Sequence, residues 1–152
     1  MRDSRERAVS CESRTYIRGI DSSPIAIKNA QSKAERHKLN VNFLLWDALE
    51  LHNLGSTFDT IFDSGLFHVL SDTGRTLFIT NVAAVLSPGG TYFVLCFSDL
   101  EPGTYGPRRV TQAEIRSSFE RPWRISYIKS AQKEARQHPN GIRAWLSSIS
   151  KL

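Results

Sequence analysis

The sequence predicts an α/β protein with a mostly parallel sheet, helices on both faces and a C-terminal antiparallel hairpin. Three observations predict this class. Apolar strand patterns alternate with amphipathic helix patterns, three of the strand patterns stop on an aspartate, and the last two have no helix between them. Because parallel neighbours need a long crossover, the last two strands are expected to pair antiparallel.

The first predicted strand covers residues 16–20 and stops on Asp21. Ser22 or Ser23 can cap the next helix, and Pro24 suits its first turn, where a missing N–H costs nothing. Apolar residues then recur at helical spacing, as in an amphipathic helix. The basic pair at residues 37–38 suits the negative end of that helix.

The middle of the chain repeats this order. Strands are predicted over residues 41–46 and 58–62, and they stop on Asp47 and Asp63. Ser71 is expected to cap a helix over residues 72–86, and the segment LSPGG, residues 86–90, is expected to break it and turn the chain. Residues 91–97 form a continuous apolar run, which predicts a strand covered on both faces.

The last third begins with a loop rich in glycine and proline, SDLEPGTYGPRRV. A capping box, Thr111 with Glu114, predicts a short helix. Strands are predicted over residues 123–128 and 143–149, with PNG at residues 139–141 as the turn between them.

Composition indicates one soluble domain, with 40% hydrophobic and 23% charged residues in 152. Residues 1–15 are polar and are expected to form a disordered tail before a domain over residues 16–152.

No apolar run of about 18 residues is present, so no membrane partner is expected. Cys11 and Cys96 are far apart, which predicts no disulfide and a reducing, cytoplasmic compartment. No spacing of metal ligands is present, so no metal site is predicted.

The net charge of +5 is unevenly distributed. Residues 1–19 carry +2, residues 20–100 carry −3 and residues 101–152 carry +6. A basic third could attract an anionic substrate or a nucleic acid, or could simply be a solvated surface. The sequence favours the surface, because no basic run interleaved with aromatic residues supports a nucleic-acid module.

The three strand-ending acids are the strongest chemical signal. In parallel sheets, ligands bind outside the carboxyl ends of the strands, so Asp21, Asp47 and Asp63 are predicted to share a nucleoside-sized crevice. A carboxylate there can accept hydrogen bonds from ribose hydroxyls or from an adenine amine. The alternatives stay open: Asp21 and Asp47 could be cap or turn residues, and a buried Asp63 would need a partner.

The segments GIDSSPIAI, WDAL, FDTIFDSGLFHVL and LSPGGTYFVLCF, in this order, resemble the class I S-adenosylmethionine-dependent methyltransferases that act on small molecules. The resemblance runs from about residue 16 to the C-terminus and implies a Rossmann-like fold. The implied cofactor is S-adenosyl-L-methionine, and the implied partner is a small-molecule methyl acceptor.

The resemblance also implies site residues. It assigns cofactor contacts to Ile20, Asp21, Ser22, Asp47, Ala48, Asp63 and Ser64. It assigns substrate contacts to Phe67, His68, Tyr105, Arg108 and Arg109. His68 is the candidate catalytic residue, as a general base, and the alternative is a histidine that packs in the protein or lines the substrate site.

One part of the family pattern is missing. The family places a strand, a glycine-rich turn and a helix before the GID strand, and residues 1–15 contain no glycine. We therefore expect an incomplete methyltransferase-like domain that lacks its first strand–helix unit. The neighbouring strands would then have unpaired edges or pair with each other, and an exposed sheet edge could support a homo-oligomer.

The function predicted from the sequence is a small-molecule methyltransferase, either intact or truncated and inactive as this chain. A non-catalytic interaction remnant of the fold and a basic RNA-binding or RNA-modifying domain are alternatives. A nicotinamide-dependent dehydrogenase shares the ribose-binding aspartate, but the second acid at Asp47 and the terminal hairpin disfavour it.

Overall fold

The structure is a computed structural model that describes residues 15–152. The chain divides into two compact units, of which the first ends at Asp47 and the second is Ala48–Leu152. The predicted tail, apart from residue 15, lies outside the described residues, and so does Cys11.

The first unit is a strand–helix–strand crossover. Strand β1 is Arg18–Asp21, helix α1 is Pro24–Arg36 and strand β2 is Asn42–Leu45. The Ser23 hydroxyl caps α1 by accepting from the Ala26 N–H at 3.2 Å. The strands pair in parallel, with Asp21 opposite Leu45. These elements confirm the first predicted strand, cap and helix.

The second unit contains seven elements among its residues. They are a 3-10 helix at Ala48–Leu54, β3 at Phe58–Ser64, α2 at Asp72–Val85, β4 at Leu86–Phe97, α3 at Gln112–Ser118, β5 at Trp123–Ala135 and β6 at His138–Lys151. The sheet order is β3-β4-β6-β5, with β3 parallel to β4 and the other pairs antiparallel. The predicted terminal hairpin and the Thr111 capping box are confirmed. The 3-10 helix was not predicted.

The core of the second unit lies on one face of this sheet. Tyr92, Val94 and Cys96 are fully buried, whereas Phe93 and Leu95, which point to the other face, are half-buried. The apolar run over residues 91–97 predicted a strand covered equally on both faces. In the structure, one face of this strand is more buried than the other. Within residues 15–152, no helix has the length and apolar character needed to cross a membrane.

Of the two predicted turns, LSPGG ends α2 as predicted, whereas PNG is not the turn of the terminal hairpin. The segment LSPGG does end α2 at Val85, but it continues as the start of β4, and the register shifts opposite it. The chain reverses between Ala135 and His138, before PNG, which lies inside β6 beside a second register shift. Glycine and proline at both places therefore make irregularities within a strand instead of a loop.

Candidate functional site

The end of β1 presents an exposed carboxylate. Asp21 Oδ1 accepts from the Ser23 N–H at 2.7 Å, which closes a local turn before α1. Among residues 15–152, no group donates to its second oxygen, Oδ2. Gly19, two residues earlier, faces Phe43 so closely that a Cβ would lie 2.6 Å from the aromatic ring. The exposed aspartate therefore follows a tightly packed strand.

Asp47 lies at the same end of this small sheet. The Trp46 N–H donates to the Asp21 backbone carbonyl at 3.0 Å, which extends the strand pairing by one residue. Asp47 comes next in the chain and is exposed. Two of the three strand-ending acids thus share one carboxyl edge within the first unit, as the parallel pairing requires.

Asp63 is different, because its carboxylate is turned into the protein. The residue is 8% exposed. Oδ1 accepts from the Leu66 N–H at 2.8 Å, and Oδ2 accepts from the Phe67 N–H at 3.1 Å and the Tyr92 hydroxyl at 2.8 Å. Burial raises the pKa of Asp63, and these hydrogen bonds oppose the rise. The carboxylate holds the turn after β3, and its predicted cofactor contact stays a prediction.

The turn after Asp63 carries His68, which is 5% exposed. Its Nδ1 accepts from the Phe97 N–H at 2.9 Å, and its ring packs edge-on against the Phe97 ring. Burial, followed by the charges of Lys133, Arg75 and Arg109, lowers the pKa of His68 to about 4. A histidine that is neutral and already accepting at Nδ1 carries its proton on Nε2, so it is a donor there, and its predicted catalytic role stays a prediction.

Lys133 reaches the same turn from β5. Its Nζ donates to the Ser64 carbonyl at 3.0 Å and approaches the Ser64 hydroxyl at 3.3 Å. Lys133 was not predicted from the sequence. No local pattern marks it, because only the hairpin brings residue 133 to the end of β3.

Arg75 fastens the turn from the other side and was also missed. Its Nε donates to the Phe67 carbonyl at 3.0 Å, and its guanidinium lies 4.4 Å from the centre of the Phe67 ring. Phe67 itself is 0% exposed and stacks on Phe119. In this structure Phe67 is a core residue, and its predicted contact with a substrate stays a prediction.

The loop between β4 and α3 uses its predicted substrate residues to hold itself together. Arg109 donates to five carbonyls of its own loop, those of Glu101, Pro102, Gly103, Tyr105 and Pro107. The Tyr105 hydroxyl donates to Glu101, and Arg108 pairs with Asp72 at 2.7 Å. These side chains hold the loop together, and their predicted contacts with a substrate stay predictions.

A cavity of about 500 Å³ lies between this loop and the turn after β3. Its lining residues are His68, Val69, Leu70, Ser71, Pro107 and Arg108. It brings together two of the predicted substrate residues, His68 and Arg108. Within residues 15–152, no three or more His, Cys, Asp or Glu side chains are grouped to hold a metal ion.

Comparison with known proteins identifies the family. The family model described as a methyltransferase domain matches residues 4–90, more than half of the chain. The chain belongs to the methyltransferase domain family. The resemblance of its strand-end segments to class I S-adenosylmethionine-dependent methyltransferases is thereby confirmed.

Individual relatives agree with this assignment. A 2-heptyl-1-hydroxyquinolin-4(1H)-one methyltransferase from Mycobacteroides abscessus is 32% identical over 117 residues, which are 75% of this chain and 52% of that protein. The chain thus spans about half the length of this relative.

Two solved structures share the fold. A Methanosarcina mazei S-adenosylmethionine-dependent methyltransferase superposes with a TM-score of 0.75 at 18% identity, covering 90% of this chain and 82% of the other. A Synechocystis magnesium protoporphyrin IX methyltransferase with bound S-adenosylmethionine superposes with a TM-score of 0.69 at 15% identity, covering 91% of this chain and 60% of the other. At these identities the likeness concerns the fold.

Proposed function

We propose that this chain binds S-adenosyl-L-methionine and transfers its methyl group to a small-molecule acceptor. One observation supports this most directly: Asp21 is exposed at the carboxyl end of a parallel strand, and only one of its oxygens is used by the described protein groups. A carboxylate oxygen at that place is suited to the hydroxyls of a ribose.

The residues at the β1–β2 edge fit the nucleoside part of this cofactor. Asp21 would accept from the ribose hydroxyls, with Ile20 and Ser22 on either side of it, and Asp47 would accept from the adenine amine. Ala48, Asp63 and Ser64 remain predictions from the sequence for the same cofactor. When bound, the cofactor supplies a sulfonium methyl group, which is already a strong electrophile, so the protein mainly has to align an acceptor.

Calorimetric titration of the full chain with S-adenosylhomocysteine tests cofactor binding. We expect one-to-one binding, weakened at least tenfold by Asp21→Ala, because hydrogen bonds to a charged group contribute about 1.5–3 kcal/mol. Asp59→Ala, an exposed aspartate on β3, is the matched control and should bind like the wild type. No heat and no thermal shift with millimolar ligand would refute the proposal for this chain.

Methyl transfer is tested separately. The first acceptor to try is 2-heptyl-1-hydroxyquinolin-4(1H)-one, because the relative from Mycobacteroides abscessus is named for it. The expected product carries one added methyl group by mass spectrometry. Cofactor binding without transfer to this compound would leave the acceptor to be sought among other small molecules.

A second candidate function is association through the edge of β3. In the sheet of the second unit β3 is an edge strand, and Phe62 on it is 79% exposed. An edge strand with an exposed aromatic side chain favours pairing with another chain. Light scattering after size exclusion should then show a dimer that Phe62→Lys dissociates, and a monomeric wild type would contradict this candidate. RNA binding stays a prediction from the basic C-terminal third.

A further inference from the structure

The turn after β3 holds two hydrogen-bond donors that no described group fully uses. His68 is fixed by the Phe97 N–H at Nδ1, so its Nε2–H points away from that bond. Among residues 15–152, no acceptor bonds to Nε2. Lys133 Nζ has three N–H groups, and its two described partners are both on Ser64.

Both donors face the same small volume above Gly65. This glycine has a φ of +110°, and the two nitrogens lie so close to it that a side chain would not fit there without displacing them. The place where a Cβ would lie is 2.8 Å from Lys133 Nζ and 3.3 Å from His68 Nε2. The two nitrogens therefore lie on the same side of Gly65, and an oxygen atom bound between them, farther from the backbone than the Cβ position, would meet a cationic donor and a neutral donor together.

The charges around this volume favour an anion. Lys133, Arg75 and Arg109 all act electrostatically on His68. Asp63 interacts with Lys133 through space, but its own oxygens are occupied by Leu66, Phe67 and Tyr92. No carboxylate of residues 15–152 forms an ion pair with Lys133. The positive charge is thus left available to a ligand.

We propose that Lys133 Nζ and His68 Nε2 bind the ionised oxygen of the methyl acceptor, so the acceptor is a compound with an acidic hydroxyl group, such as a phenol, an enol or an N-hydroxy heterocycle. This inference rests on the proposed methyltransferase function. A nearby cation favours the ionised form of a hydroxyl group, so the hydroxyl proton passes to solvent when the acceptor binds.

The transfer step then needs no protein base. The acceptor oxyanion attacks the methyl carbon, the new C–O bond forms as the C–S bond breaks, and sulfur keeps the bonding electron pair. The negative charge on oxygen and the positive charge on sulfur disappear together. Lys133 and His68 bind and orient the oxygen, and the neutral ether product no longer attracts Lys133, which favours its release.

The test measures binding of 4-nitrophenol, which ionises near neutral pH, by calorimetry of the full chain on both sides of that ionisation. We expect the phenolate to bind about tenfold more tightly than the phenol, and 4-nitroanisole, which cannot ionise, to show no pH dependence. Lys133→Gln should abolish the preference for the phenolate, and Lys133→Arg should keep it. Lys129→Gln, which removes the same charge from the same strand, should behave like the wild type.

His68→Asn sharpens the assignment. The Asn Oδ1 can still accept from the Phe97 N–H, while the donor at the Nε2 position is lost, so phenolate binding should weaken about threefold to tenfold. Equal phenolate binding by Lys133→Gln and Lys129→Gln would overturn the proposal, as would no phenolate binding by the folded wild type. Circular dichroism verifies the fold of each variant.

The same samples are titrated with S-adenosylhomocysteine, so the two proposals can fail separately. Phenolate binding that depends on Lys133, without cofactor binding, would refute the methyltransferase function and keep the anion site. Cofactor binding without any effect of Lys133 on phenolate binding would refute the anion site and keep the methyltransferase function.

Discussion

The ends of β1 and β3 carry the same sequence signal, an apolar strand that stops on an aspartate, but the two aspartates differ in burial and hydrogen bonding. Asp21 is exposed and accepts one hydrogen bond from its own turn. Asp63 is buried and accepts three, one of them from Tyr92 on a different strand. A strand-ending carboxylate is therefore free for a ligand only where the tertiary structure leaves its oxygens unused.

Asp63→Ala should have the largest effect on stability. It leaves the N–H groups of Leu66 and Phe67 and the Tyr92 hydroxyl without their acceptor, which costs about 3 kcal/mol in free energy of unfolding. Urea unfolding followed by circular dichroism measures this loss, and Asp59→Ala on the same strand is the exposed control. A loss below about 1 kcal/mol in the free energy of unfolding would contradict this prediction, because Asp63 would then support the fold no more than Asp21 does.

His68 gives the β3 end a dependence on pH. Its folded pKa of about 4 lies below its ordinary 6.5, so the unfolded state binds the proton first as the pH falls. The contribution of neutral His68 to the free energy of unfolding is complete above pH 6.5 and is lost as the pH falls towards 4. Between pH 7 and pH 4.5 this loss is about 2.5 kcal/mol. Urea unfolding at both pH values should show this loss in the wild type, whereas His68→Asn lacks it; an equal loss in both proteins would exclude His68 as the cause.

Tyr92→Phe tests the bond that ties Asp63 to β4. The hydroxyl favours the ionised carboxylate, so its removal should raise the pKa of Asp63 further and cost about 1.5 kcal/mol at pH 7. A carboxyl pKa raised by folding means that stability is greatest when the group is protonated and falls as the pH rises through the folded pKa. The cost of Tyr92→Phe should therefore be smaller at pH 4 than at pH 7, and an equal cost at both would contradict the link.

Asp21→Ala should have the smallest effect on stability, less than about 1 kcal/mol, because it removes one exposed hydrogen bond at a helix start. Thermal unfolding without ligand measures it. The effect of S-adenosylhomocysteine on the melting temperature should be much smaller in this variant than in the wild type. A large loss of stability without ligand would show that Asp21, like Asp63, mainly supports the fold.

Much of the local structure was predictable because its causes lie within a few residues. Ser23 with Pro24 and the capping box of Thr111 with Glu114 mark helix starts through side chains next to the N–H groups that they satisfy. The turns were harder to predict. Glycine and proline near residues 88–90 and 139–141 allow a turn or a strand irregularity, and pairing with distant strands decides between them.

The sequence alone determined the alternation of strands and helices, the aspartates at the strand ends and the family, because periodicity, caps and strand-end motifs depend on neighbouring residues. Only the tertiary structure decided that Asp63 is buried and bonded to Tyr92, that His68 is neutral with its proton on Nε2, and that Lys133 reaches Ser64. The physical reason is distance along the chain. The bond between Tyr92 and Asp63 joins residues 29 positions apart, and the bond between Lys133 and Ser64 joins residues 69 positions apart. These bonds, and the burial that lowers the pKa of His68, depend on packing that no local pattern encodes.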